Sequence, residues 1–170
     1  MNGSDYKQCL KHRDRANKLV QREKYGEAKR ELERALKCLD RITGASDFCR
    51  VVTYGEIGEY YIETGQMELA WEWLSRTRAM FSRRGEDWQQ GESAYCLYNE
   101  AKVLTNLGRY EEALEKFRQA SGIYERAFGS GHFYIAIVWA GISRVLRLQG
   151  KLEEAATLIR RSRQMLNNRA

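Results

Sequence analysis

Apolar and polar residues recur along this chain with a helical period that breaks off and restarts at short intervals. Between Leu104 and Ala120 the pattern stops at Gly108 and resumes at Tyr110, so two helices must reverse direction across one or two residues. Gly108 suits the left-handed end of the first helix because it has no Cβ to clash. Glu111 and Glu112 favour the positive end of the second helix dipole. Ala113, Phe117 and Ala120 fall at i, i+4 and i+7, a stripe of small, large and small residues that another helix can approach closely. The predicted building block is an antiparallel helix pair.

The same block recurs. Gly65-Gln-Met67-Glu-Leu-Ala70 with Leu74 and Thr77, and Gly150-Lys-Leu152-Glu-Glu-Ala155 with Ile159 and Ser162, are close copies; Tyr25-Gly-Glu-Ala28 with Leu32 and Ala35 is a fainter one. The alanines lie 42, 43 and 42 residues apart, from Ala28 to Ala70, Ala113 and Ala155. Seven residues before each turn stands a small residue, Ala16, Gly58, Ala101 or Ser143, and three further on a large apolar one, Leu19, Tyr61, Leu104 or Leu146.

The pattern predicts eight helices, at about 5–22, 25–42, 48–64, 67–83, 87–107, 110–128, 133–149 and 152–168, with turns over Thr43 to Ser46 and Gly129 to Gly131. Asp47 is read as a cap for the third helix. The first helix is polar enough for the end of a stack, the seventh apolar enough to be covered on both sides, and the eighth is expected to bury Leu152, Ala155, Ile159 and Leu166. Trp71 and Trp73 are two apart on one helix and cannot share a face.

On these residues the chain resembles the tetratricopeptide repeat family, from roughly Asp5 to Asn168. The resemblance rests on the aromatic slot filled by Tyr54 and Trp139, the small residue, the turn glycine, and the alanine after it. A period of 42 or 43 in place of the usual ~34, and the connection Gly129-Ser-Gly-His132 followed by Ala136, are similar to the kinesin-light-chain subgroup. Four departures stand out: Phe133 where that connection usually has proline, Glu23 for the first turn glycine, and His12 and Leu97 in the aromatic slot. The resemblance implies an all-α fold, a right-handed superhelical stack of four antiparallel helix pairs. It would form a single domain over 1–170, with repeats at about 5–43, 47–83, 87–128 and 131–168.

Composition narrows the functional classes. The 170 residues are 43% hydrophobic, enough for a chain this long to bury about 70% of its unfolded surface. Neither an apolar run long enough to span a bilayer nor a signal-peptide core is present in the sequence, so a soluble, cytoplasmic location is expected. There is no proline to interrupt the helices. Cys9, Cys38, Cys49 and Cys96 lack C-x-x-C spacing and read as free thiols. The net charge of +6 comes from basic residues interleaved with acids, as between Lys29 and Lys37, which describes solvated helix faces and disfavours a nucleic-acid stripe. His12 and His132 lack metal-ligand spacing, and Gly55 and Gly58 have no preceding strand that would make a phosphate loop. Neither an enzyme nor a cofactor is expected.

In the family the inner wall of the stack comes from the first helix of each pair, and counting back from each turn gives its positions here. They are Arg13, Asn17, Glu59, Glu63, Tyr95, Tyr98, Asn99, Lys102, Asn106, Arg144 and Arg147. Asn99 stands in the slot where kinesin-light-chain-like repeats often bond a peptide backbone. The wall reads as acidic around Glu56, Glu59 and Glu63 and basic from Lys102 to Arg147, so a peptide with an acidic portion over the third and fourth repeats is the expected partner. Repeats that grip the carboxylate tails of heat-shock chaperones would need asparagine at Glu59 and cations at Tyr95 and Asn99, which disfavours that use. The implied function is a non-catalytic adaptor. The alternatives are a peptide-responsive regulatory sensor or a scaffold that self-associates through Trp88 or Trp71.

Overall fold

The structure, a computed structural model, describes residues 3–42, 47–84 and 90–167. The elements are α1 (Gly3–Val20), α2 (Tyr25–Arg41), α3 (Asp47–Glu63), α4 (Met67–Arg84), α5 (Gln90–Asn106), α6 (Tyr110–Phe128), α7 (Phe133–Leu148) and α8 (Leu152–Asn167), with no strand among the described residues. The all-α reading holds, with bounds within two residues of expectation everywhere except the start of α5. Asp47 opens α3 from inside its first turn. The turn at Thr43 to Ser46, the helix start at Asp87 and the contact through Trp88 lie outside the described residues.

The chain divides into two compact units, residues 1–85 and 86–170. In the first, α1 pairs with α2 and α3 with α4, while α3 lies against both α1 and α2. In the second, α5 pairs with α6 and α7 with α8, while α7 lies against both α5 and α6. Each unit is therefore two stacked helix pairs.

All four reversals use one hydrogen-bonding scheme. Gly65, Gly108 and Gly150 take φ of +76°, +74° and +78°, and Glu23 takes +57° at the equivalent point. The N–H of each donates back across the last turn, and the next N–H reaches the carbonyl five residues back: Lys24 to Leu19, Gln66 to Tyr61, Arg109 to Leu104, and Lys151 to Leu146, at 2.8–2.9 Å. The acceptors are the four large apolar residues that the repeat marks. The second helix opens at once, because Ala28, Ala70, Ala113 and Ala155 donate to the carbonyls of Lys24, Gln66, Arg109 and Lys151. Those alanines are buried, which is why each copy needs a small residue there.

Within each pair the small residue seven positions before the turn sets the closeness of the helices. A Cβ on Gly58 would stand 2.9 Å from the Leu74 side chain, and Ser143 donates to the Ala155 carbonyl at 2.8 Å. Ser162 answers from α8 by donating to the Ala136 carbonyl at 2.7 Å. Trp73 stacks edge-on against Tyr54, with ring centroids 5.2 Å apart, whereas Trp71 is half-buried under the Arg78 guanidinium. Cys9, Cys38 and Cys49 share one core cluster, all four cysteines are unbridged, and burial pushes the Cys9 thiol up.

Two expectations about the last pair need correction. Leu152 and Leu166 of α8 are 63% and 43% exposed, so the buried stripe narrows to Ala155 and Ser162, with Ile159 half-buried. Helix α7 is not covered on both sides either, since Ile137 and Leu148 are exposed. Their apolar character led to the inward assignment, but no further described helix lies on that side of α7 and α8.

Buried charge is met by a partner. The Glu100 carboxylate accepts from Lys116 at 2.8 Å between α5 and α6. In the first unit Glu31 of α2 is bonded by His12 of α1 at 2.7 Å and by Arg34. The His12 bond, helped by Arg34 and opposed by burial, holds the Glu31 carboxyl below its ordinary 4.5. A depressed carboxylate stabilises the fold above its unfolded value, and that contribution is lost as pH falls through the folded value. Urea unfolding of Glu31→Gln should therefore show a loss of about 1 kcal/mol at neutral pH that shrinks below pH 4.5. Glu23→Gly should raise unfolding stability by about 1 kcal/mol by relieving left-handed strain, whereas Gly108→Ala should lower it by a similar amount.

Candidate peptide-binding groove

The counted positions fall into two sets, one in each unit. In the second unit, α5, α6 and α7 enclose a cavity of about 220 Å³ lined by Tyr98, Lys102, Thr105, Phe117, Ala140, Gly141 and Arg144. Phe117 forms the floor, and the Tyr98 ring meets it edge-on at 5.6 Å. Gly141 brings α7 so close that a Cβ there would stand 2.7 Å from the Phe117 ring. The Lys102 ammonium lies 6.0 Å from the Tyr98 ring centroid. From α7, Arg144 donates to the Asn106 amide oxygen at 3.0 Å and has no carboxylate partner among the described residues. An apolar floor beneath two cations and a phenol suits a side chain that ends in a carboxylate.

Other counted residues lie elsewhere in that unit. Tyr95 is half-buried and does not line the cavity. Asn99 is 0% exposed, inside the helix layer instead of on the cavity wall, with both amide atoms unpaired among the described residues. Arg147 lines a different hollow, between α7 and α8.

In the first unit, Asn17, Glu59 and Glu63 line a 490 Å³ cavity with Glu23, Tyr25, Glu56 and Tyr60. Arg13 holds Glu56 in a two-pronged grip, Nε to Oε2 at 2.6 Å and Nη2 to Oε1 at 2.9 Å, and Asn17 reaches the same carboxylate at 3.3 Å. Arg13 and Asn17 thus tie α1 to α3. Counting positions did not reveal this, because a count assigns each residue to a wall without showing which wall residues satisfy one another. Phe117 and Gly141 were also missed as cavity residues. The available signal for Gly141 was a glycine inside an otherwise unbroken helical pattern.

Residues 92–168 match a family model of the tetratricopeptide repeat. Over that stretch the second unit is similar to tetratricopeptide repeats, a class that generally mediates protein–protein contact. Among solved structures, BtubC (BKLC) from P. vanneervenii has a similar fold at a TM-score of 0.57 and 12% identity, over 90% of this chain and 77% of that one. No curated protein is matched. Among the described residues no helix is long and apolar enough to cross a membrane.

The tight approach at Gly141 gives a direct check on the cavity floor. Gly141→Ala should destabilise the fold by about 1–3 kcal/mol in thermal unfolding through overpacking against Phe117, a cost that Phe117→Leu in the same chain should partly relieve.

Proposed function

We propose that this chain is a non-catalytic adaptor whose second unit holds a peptide segment bearing an acidic side chain. The observation behind this reading is the cavity in which Lys102 and Arg144 stand over Tyr98 and Phe117. A ligand carboxylate between the two cations would take charge-assisted hydrogen bonds, while its aliphatic stem rests on the rings.

Asn106, already bound to Arg144, orients that guanidinium. In the first unit the acidic cavity walled by Glu59 and Glu63 offers the opposite preference, for a basic side chain. Four thiols without a disulfide suit a reducing compartment, and we assign the protein to the cytoplasm.

An array of immobilised peptides, each paired with a version in which Asp and Glu become Asn and Gln, tests the reading. The acidic members should be retained selectively, and Lys102→Glu with Arg144→Glu should weaken them at least tenfold while circular dichroism stays unchanged. Equal retention of acidic and neutral peptides by a folded wild-type chain would reject the assignment.

A further inference from the structure

Repeats in one chain allow each helix pair to serve as a template for the next. A shift of 42 residues carries Ala113 to Ala155, and with it Tyr110, Leu114, Phe117 and Ser121 of α6 to Leu152, Ala156, Ile159 and Arg163 of α8. On α6 these positions form the face against which α7 packs: Leu114 and Phe117 are 4% and 1% exposed, and Gly141 of α7 sits directly on the Phe117 ring. On α8 the matching face is open. Leu152, Ala156 and Arg163 are exposed and Ile159 is half-buried. With Ala140, Ser143, Arg144, Arg147 and Ala155 they line a hollow of about 360 Å³ between α7 and α8.

We propose that this open face receives an amphipathic helix with acidic flanks from another polypeptide. Its shape argues for a helix, because the homologous face on α6, two helices earlier in sequence order, is filled by one, α7, at close range. The floor, Leu152, Ala156 and Ile159, supplies an apolar stripe at i, i+4 and i+7, the register a helix presents to a partner helix. Small residues at Ala140, Ser143, Ala155 and Ala156 leave room for the backbone to approach.

Charge decides between occupants. Arg144, Arg147 and Arg163 rim the hollow, all exposed and without a carboxylate partner among the described residues. A second copy docking through its α1 would bring exposed Lys7, Lys11, Arg15 and Lys18 against that rim, and like charges would oppose it. Glutamates on the flanks of an incoming helix would answer the arginines. The floor of this surface, Leu152, Ala156 and Ile159, is distinct from that of the cavity above Phe117, although Ala140 and Arg144 border both.

The probe is a synthetic peptide copying the 16 residues of α7, Phe133–Leu148, with Arg144→Glu and Arg147→Glu in the peptide. Titrated into the full chain and followed by fluorescence anisotropy, it should bind, whereas the same peptide with lysine at those two positions should bind at least tenfold more weakly. Ala156→Glu and Arg163→Glu in the chain, both at exposed positions, should each reduce binding at least fivefold with an unchanged melting temperature. Lys102→Glu should leave this binding intact, which separates it from the groove. Three results would overturn the proposal: equal binding of the acidic and basic peptides, indifference to Ala156→Glu, or a dimer in sedimentation velocity that Ala156→Glu dissolves, which would make a second copy the occupant.

Discussion

The fold depends on how a helix ends. A helix leaves carbonyls without partners at its last turn, and here each first helix meets them with a residue in the left-handed conformation and the residue after it. The acceptor at the far end of that hydrogen bond is always the backbone carbonyl of a residue with a large apolar side chain, and the new helix that starts at once carries a buried alanine in its first turn. One local geometry thereby fixes both the reversal and the face on which the two helices meet. Glycine makes that geometry cheap at Gly65, Gly108 and Gly150; Glu23 adopts it at a cost.

Once reversal and register are set, small residues determine how near the helices come. Gly58 beneath Leu74 and Gly141 on Phe117 allow approaches that any Cβ would obstruct. The same closeness leaves the hollow in the second unit shallow and floored by rings. Its chemistry is added by residues pointing from α5 and α7, and changing those need not disturb the turns. That separation explains how pairs built alike can present acid in the first unit and base in the second.

Much of this was legible in the sequence because turn, small residue and alanine are each dictated by backbone geometry and recur at a fixed interval. Helix bounds and pairing followed from those marks. The placement of Asn99 did not: its position in the count put it on the wall, but a count does not resolve the rotation that turns the side chain into the layer. Arg13 and Glu56 were both legible as wall residues, yet their mutual grip depends on a distance between α1 and α3 that periodicity does not encode. Leu152 and Leu166 were assigned inward because apolar side chains usually are, and whether a neighbour covers them is not a property of their own helix.

The distribution of sulfur gives the molecule its own reporter. Three thiols, Cys9, Cys38 and Cys49, lie in one core of the first unit, while Cys96 is buried on α5 of the second. An alkylating reagent reaches a buried thiol only when the surrounding helices part. The number of sulfurs modified on each molecule would therefore record, by mass alone and with no label introduced, whether the two halves open together or one before the other.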